Sequence, residues 1–323
     1  MTTLEPPKVR LRLDPWPGDY QPAIQFDAQP EPAVHIDSAV ETSAWGPLPP
    51  PAAGPDRDLC FVDGVRRVEA RLLADSPPGL VHGLCGSIGV GCARASGGRL
   101  AFERIEISRF LILGSGLERE LRIQAGDLGL DFRKVSAAGN SPSEVLAALQ
   151  NLMRAQEASL AERLASPAAC LLVDGPLTYL SPVVREIVGI VKTLYQPYLA
   201  AADFALLPAL PPGCRTPLFL IQGGGNDRYS WFLRLAGPGP ADHPLAGLIR
   251  LEVAAAAGLE TARGLAGLTT CRLPRFASTP LRDPRAPQNL LPVGALEQEM
   301  RRRLGDPLLV RRGLERCLTG DAA

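Results

Sequence analysis

The stretch "LCFVDGVRRVEARL", residues 59–72, decides how this chain is read. Leu59, Cys60, Phe61 and Val62 form an apolar run typical of a core strand, and the run ends at Asp63. The same ending returns in "ACLLVDGPLTYL", residues 169–180, where Asp174 follows Leu171, Leu172 and Val173. Asp-Gly is ordinary turn chemistry, because Asp bonds its own backbone and Gly accepts positive φ. Two core strands with the same ending support a second reading. Carboxylates at the ends of central strands converge at one edge of a sheet, where they repel one another unless a cation neutralises them. The pair Asp63 and Asp174 therefore predicts a metal site.

Outward from this stretch, the N-terminal side (residues 1–56) is proline-rich: "PWPGDYQP", "AQPEPAV", "GPLPPPAAGPD". It cannot hold a long helix and reads as an extended arm partly ordered by short strands. On the other side, residues 57–323 read as one domain. Strand material continues through "RRVEARLLA", "GLVHGLCGSIGVGCARA" and "RLAFERIEISRFLIL", predicting antiparallel neighbours joined by short turns. A long helix follows at "SPSEVLAALQNLMRAQEASLAERLAS", with Ser141 as cap, Pro142 at the first helical position and Glu144 completing a capping box. After the strand "ACLLVD" the pattern predicts a helix over "SPVVREIVGIVKTLY", capped by Ser181. Strands "TPLFLIQ", "YSWFLRLA" and "GLIRLEVAA" come next, then helices around 257–267, 291–304 and 307–317. The order gives an α/β fold whose sheet has an antiparallel part.

Composition narrows the function classes. No apolar stretch approaches the ~20 residues of a membrane span, and the N-terminus lacks an apolar signal core, so a cytoplasmic protein is expected. Seven scattered cysteines without a CxxC pair, and three histidines, argue against zinc and disulfide frameworks. Lysine plus arginine balance aspartate plus glutamate at 34 each, so no global field points to a polyanion. Only Lys8, Lys134 and Lys192 are lysines, and arginines cluster late in "EMRRRLGD" and "LLVRRGLER". That bias permits phosphate contacts without proving them.

A metal held by Asp63 and Asp174 needs further oxygen ligands. On the long helix, Leu146, Leu149, Met153, Leu160 and Leu164 share one stripe, Glu157 lies at its edge, and Glu162 points away. A carboxylate beside the core is costly unless paired or metal-bound. Arg154, three residues earlier, offers the alternative of a local ion pair, and the sequence leaves both open. Lys192 lies beside the stripe of Val184, Val188, Val191 and Tyr195. It either snorkels or neutralises a phosphoryl transition state near Asp174.

These residues, in this order, resemble the NurA nuclease family. The strand with Asp-Gly, the helical Glu, "LVDGPL", "GIVKT", "YSWFLRL", "RLEV" and the terminal "DPRAPQNLLPVGALEQEMRRRLGD" carry the likeness, from about Leu59 onward. It implies an RNase H-like mixed sheet flanked by helices, with acidic residues binding Mn²⁺ or Mg²⁺. It further implies a homodimer that cuts single-stranded DNA, resects duplex ends from 5′ to 3′, and works with a HerA-like hexameric ATPase. Asp63, Glu157, Asp174 and Lys192 match the catalytic positions. One departure is that Leu296 stands where relatives carry a histidine, so Asp283, Asn289 and Glu297 are candidates for the remaining ligand.

The chemistry expected is metal-assisted phosphodiester hydrolysis, in which the metal generates the nucleophile and no histidine base is required. Arg66 and Arg154 are candidate phosphate contacts, and Tyr229 or Trp231 candidate base platforms. Alternation along "YSWFLRL" puts Tyr229, Trp231 and Leu233 on one face, which favours core packing. "GGGND", residues 223–227, lacks the Lys-Ser/Thr of a phosphate loop and reads as a hairpin loop. Two rival functions remain: a catalytically inactive RNase H-like adaptor docking on a DNA motor, and a phosphoesterase acting on a small nucleotide.

Overall fold

The computed structural model describes residues 10–13, 34–52, 57–76, 79–180, 186–192, 198–223, 226–239, 242–279, 281 and 286–320. Twelve strands join one mixed sheet among these: β1 (Arg10–Leu13), β2 (His35–Asp37), β3 (Asp58–Ser76), β4 (Gly79–Ser96), β5 (Arg99–Leu113), β6 (Leu121–Ala125), β7 (Leu128–Ser136), β8 (Ala169–Asp174), β9 (Ile187–Val191), β10 (Phe219–Gln222), β11 (Arg228–Arg234) and β12 (Leu248–Ala254). The helices are α1 (Pro142–Leu164), α2 (Ala201–Phe204), α3 (Leu259–Arg272), α4 (Leu291–Arg303) and α5 (Pro307–Gly320). No described helix is long and apolar enough to cross a membrane.

The sheet order is β2-β10-β11-β12-β9-β8-β3-β4-β5-β7-β6, with β1 pairing onto β3. Its centre is an antiparallel meander, β3-β4-β5, to which β8 adds parallel to β3 and β9 parallel to β8. This is the mixed, helix-flanked sheet expected. Strand β8 is buried at its first five positions, as a parallel strand covered on both faces must be. On one face, Cys60, Val62, Leu171 and Val173 pack with Val145, Leu149 and Met153 of α1. On the other, Phe61, Val65, Cys170 and Leu172 pack with Leu265 of α3 and with Val293, Leu296 and Met300 of α4. Helix α1 starts as its sequence dictates, with Ser141 and Glu144 making a complete capping box ahead of Pro142.

Two expectations are corrected. Strand β3 does not end at Asp63; it runs on through Gly64 to Ser76, paired with β4 almost throughout. A long partner strand thus overrides the local turn signal. The second Asp-Gly does end its strand, at Gly175 with φ of 118°. The segment expected to be a helix ending in "GIVKT" instead contains β9. Its β-branched Ile187, Val188 and Ile190 are buried against β8 and β12, and Gly189 in their midst disfavours a helix. The proposed cap, Ser181, lies outside the described residues, as does most of the proline-rich arm. The described parts of that arm join the sheet, β1 on β3 and β2 on β10. Strands β10 and β11 form an antiparallel pair across residues 223–227, as a hairpin reading requires. Strands β6 and β7, not foreseen, extend the sheet beyond β5, where Val310 and Leu314 of α5 cover Leu121 and Ile123.

Candidate metal centre

Register brings the two aspartates together. Val62 of β3 pairs with Val173 of β8, so the residues that follow, Asp63 and Asp174, are cross-strand neighbours. Alternation puts both on the face of Phe61 and Leu172, under α4. Asp63 is opposite Gly91 of β4, which has no side chain for a physical reason: a Cβ there would lie 2.9 Å from Ile105 Cγ1 and 3.2 Å from Leu296 Cδ1. The bare backbone lets α4 lie close to the sheet, and the residue after Leu296 reaches the aspartates. Ligand oxygens of Asp63, Asp174 and Glu297 all lie within 4.8 Å of one another.

The electrostatics of this cluster are those of an unfinished site. Asp63 is only 5% exposed, and its Oδ2 is buried with no hydrogen-bond partner. Burial, then the charges of Asp174 and Glu157, raise its carboxyl well above the ordinary aspartate range; Lys192 pulls the other way and Glu297 adds to the rise. Lys192, just past the end of β9, donates to Asp174 Oδ2 at 2.6 Å and to Asn289 Oδ1 at 2.9 Å. It is therefore a partner of the acidic cluster rather than a snorkelling side chain.

Glu157 approaches from the other face. It is 2% exposed, and Gly64 leaves the room for it, since a Cβ at Gly64 would lie 2.5 Å from its Oε1 and 3.0 Å from Met153 Cγ. The local ion pair forms: Arg154 Nη1 donates to Glu157 Oε2 at 3.0 Å and to the Asp174 carbonyl at 2.7 Å. Oε1 faces the Gly64 backbone without a well-formed hydrogen bond. Burial outweighs Arg154 and pushes the Glu157 carboxyl up to about 7. Glu157 thus adjoins the cluster, with an ion pair already satisfying one of its two oxygens.

No family model matches this chain, and no curated protein matches it. Among solved structures, the chain is similar to the NurA nuclease from Sulfolobus solfataricus. The two are 11% identical, with a TM-score of 0.47 over 79% of this chain and 81% of that one.

Of the candidates for the remaining ligand, Glu297 joins the aspartates, Asn289 instead holds Lys192, and Asp283 lies outside the described residues. Arg66 does not face the cluster; its Nε donates to Gln150 Oε1 on α1 at 2.5 Å. Trp231 is fully buried and presents no stacking face, and Tyr229 packs partly buried against the same core. Sequence reasoning passed over Glu252 of β12. It is buried and accepts from Arg228 Nε at 3.1 Å, from Arg250 Nη1 at 2.5 Å and from the Leu177 amide at 2.9 Å. Burial raises its carboxyl, but Arg250 and Arg228 outweigh that and hold it below the ordinary range. Glu252 is what a compensated buried carboxylate looks like, and Asp63 is not one.

The donor set fits a hard divalent cation: carboxylate oxygens on two strands and one helix, one of them buried and unpartnered. Asp63, Asp174 and Glu297 would hold the ion. Bound there, a divalent cation supplies Lewis acidity toward a phosphoryl oxygen and toward water.

Proposed function

We propose that this chain is a metal-dependent nuclease that hydrolyses phosphodiester bonds of DNA, with Mn²⁺ or Mg²⁺ as its cation. One observation carries the reading: three carboxylates from β3, β8 and α4 meet within 4.8 Å, and one of them is buried with an unpartnered oxygen. Such a cluster is costly for the fold alone and is repaid when charge arrives from outside. Within the site, Asp174 is oriented by Lys192, and Lys192 by Asn289, so a positive group stands ready beside the phosphoryl oxygens. Arg154 holds the Asp174 carbonyl and with it the end of β8.

The order of motifs that resembles the NurA family extends the proposal. Substrates would be single strands and duplex ends, the active form a homodimer, and the partner a HerA-like hexameric ATPase in end resection and double-strand break repair. The test is cleavage of labelled single-stranded DNA with Mn²⁺ by wild type, Asp63→Asn and Asp174→Asn. Wild type should cut and both variants should lose at least ~10³-fold in rate, consistent with loss of a metal ligand. An inactive adaptor leaves the DNA whole in every lane, whereas a small-nucleotide phosphoesterase turns over mononucleotides only.

A further inference from the structure

A cavity of about 680 Å³ lies between the β4–β5 hairpin, the segment after α3 and the start of α4. Arg99, Arg272 and Arg275 line it, together with Leu100, Phe276 and Ser278, and among the described residues no carboxylate does. The side chains of Arg99 and Arg275 are exposed and make no hydrogen bond or ion pair with any described residue. Ser278 is 6% exposed, and its hydroxyl has no hydrogen-bond partner. Helix α4 opens onto the same space. Its cap position is Leu290, and among the described residues no side chain satisfies the amides of Leu291 and Val293, Pro292 having none. A buried orphan hydroxyl, an uncapped helix start and the guanidinium groups of Arg99 and Arg275 share one preference, an anion. The apolar lining of Leu100, Phe276, Leu290 and Pro292 suits the organic part of the ligand.

The walls of the cavity are linked to the candidate metal centre through Asn289. Asn289 holds Lys192, the next residue lines the cavity, and the Asn289 carbonyl accepts from the Ser278 amide at 3.2 Å. We propose, resting on the nuclease reading, that this cavity binds the terminal phosphorylated nucleotide of the DNA strand being cut. The unpaired guanidinium groups of Arg99 and Arg275 match a phosphomonoester, which carries roughly −1.5 to −2, better than an internal phosphodiester. The volume suits a nucleotide with its base rather than a bare ion.

The test is anisotropy with the full-length protein in EDTA, where cleavage cannot intervene. The probes are three dye-labelled octathymidylates carrying a 5′-phosphate, a 3′-phosphate or neither. One phosphorylated strand should bind at least ~10-fold more tightly than the unphosphorylated one, as charge-assisted contacts allow, and which one does so identifies the end recognised. The preference should vanish in an Arg99→Ala/Arg275→Ala double variant with an unchanged unfolding midpoint, and should persist in Asp63→Asn. Equal binding of all three strands, or a preference that survives the double substitution, overturns the proposal. Failure of the nuclease reading looks different: a wild type that keeps the phosphate preference in EDTA but does not cut DNA with Mn²⁺.

Discussion

Glu157 shows how a single side chain reports on the whole cluster. Its carboxyl ordinarily titrates near 4.5 and is pushed up to about 7 in the fold, burial being the largest cause. The folded state therefore binds that proton more tightly than the unfolded chain does. Stability from this group is fully present below about pH 4.5 and is lost as pH rises through about 7. Glu157→Gln removes the ionisation, so in EDTA the melting temperature of the variant relative to wild type should climb by several degrees across that window. A difference that stays flat with pH would show that Glu157 is not held in its neutral form. Lys192 makes a prediction of a different kind. Lys192→Ala should cost ~10²–10³ in turnover, the range for removal of one preorganised positive group or donor at a developing charge. Single-turnover cleavage measures it, and an unchanged rate would reduce the lysine to a structural partner of Asp174.

At the scale of elements, two glycines set how closely the helices approach the sheet. Gly64 admits Glu157 and Met153 of α1, and Gly91 admits Leu296 of α4. Gly91→Ala forces Ile105 or Leu296 to move, and should destabilise the protein by about 1–3 kcal/mol, as overpacking does. It should also weaken Mn²⁺-dependent cleavage more than a stability-matched core substitution in β6, because it displaces Glu297. If both variants lose activity in proportion to stability, α4 does not position a ligand. These close approaches explain what was legible in the sequence. Asp63 and Asp174 were readable because each follows a continuous apolar strand, and α1 because its apolar period and its Ser141 capping box agree. Glu297 stood only among three candidates, although it lies between the buried Leu296 and Met300, because nothing local says what faces α4. Strand β9 was misread because "IVGIV" is an apolar run without telling periodicity, and its strand state comes from β8 and β12 on either side. Likewise, the turn signal at Asp63-Gly64 gives way to seventeen cross-strand pairs along β3 and β4.

Across the whole molecule, the candidate metal centre ties together segments that are distant along the chain. Asp63 sits in the first sheet hairpin, Asp174 after the long helix, and Glu297 near the C-terminal end, on elements that belong to one continuous core. Mutual repulsion among these carboxylates opposes the docking of α4 on β3 and β8, and an ion binding the folded state alone reverses that opposition. Cation binding should therefore stabilise global unfolding rather than a local loop, by about 2.7 kcal/mol at a hundredfold excess over Kd. For a chain of this length that is a rise of several degrees in Tm with Mn²⁺ or Mg²⁺. Asp63→Asn and Glu297→Gln should melt higher than wild type in EDTA, since each removes one repelling charge, and should lose the metal-dependent increment. Thermal unfolding of the three proteins with and without Mn²⁺ measures both effects at once. Equal metal increments in all three would place the cation elsewhere on the molecule, and a fall in EDTA stability would mean that the carboxylates already have sufficient countercharge within the fold.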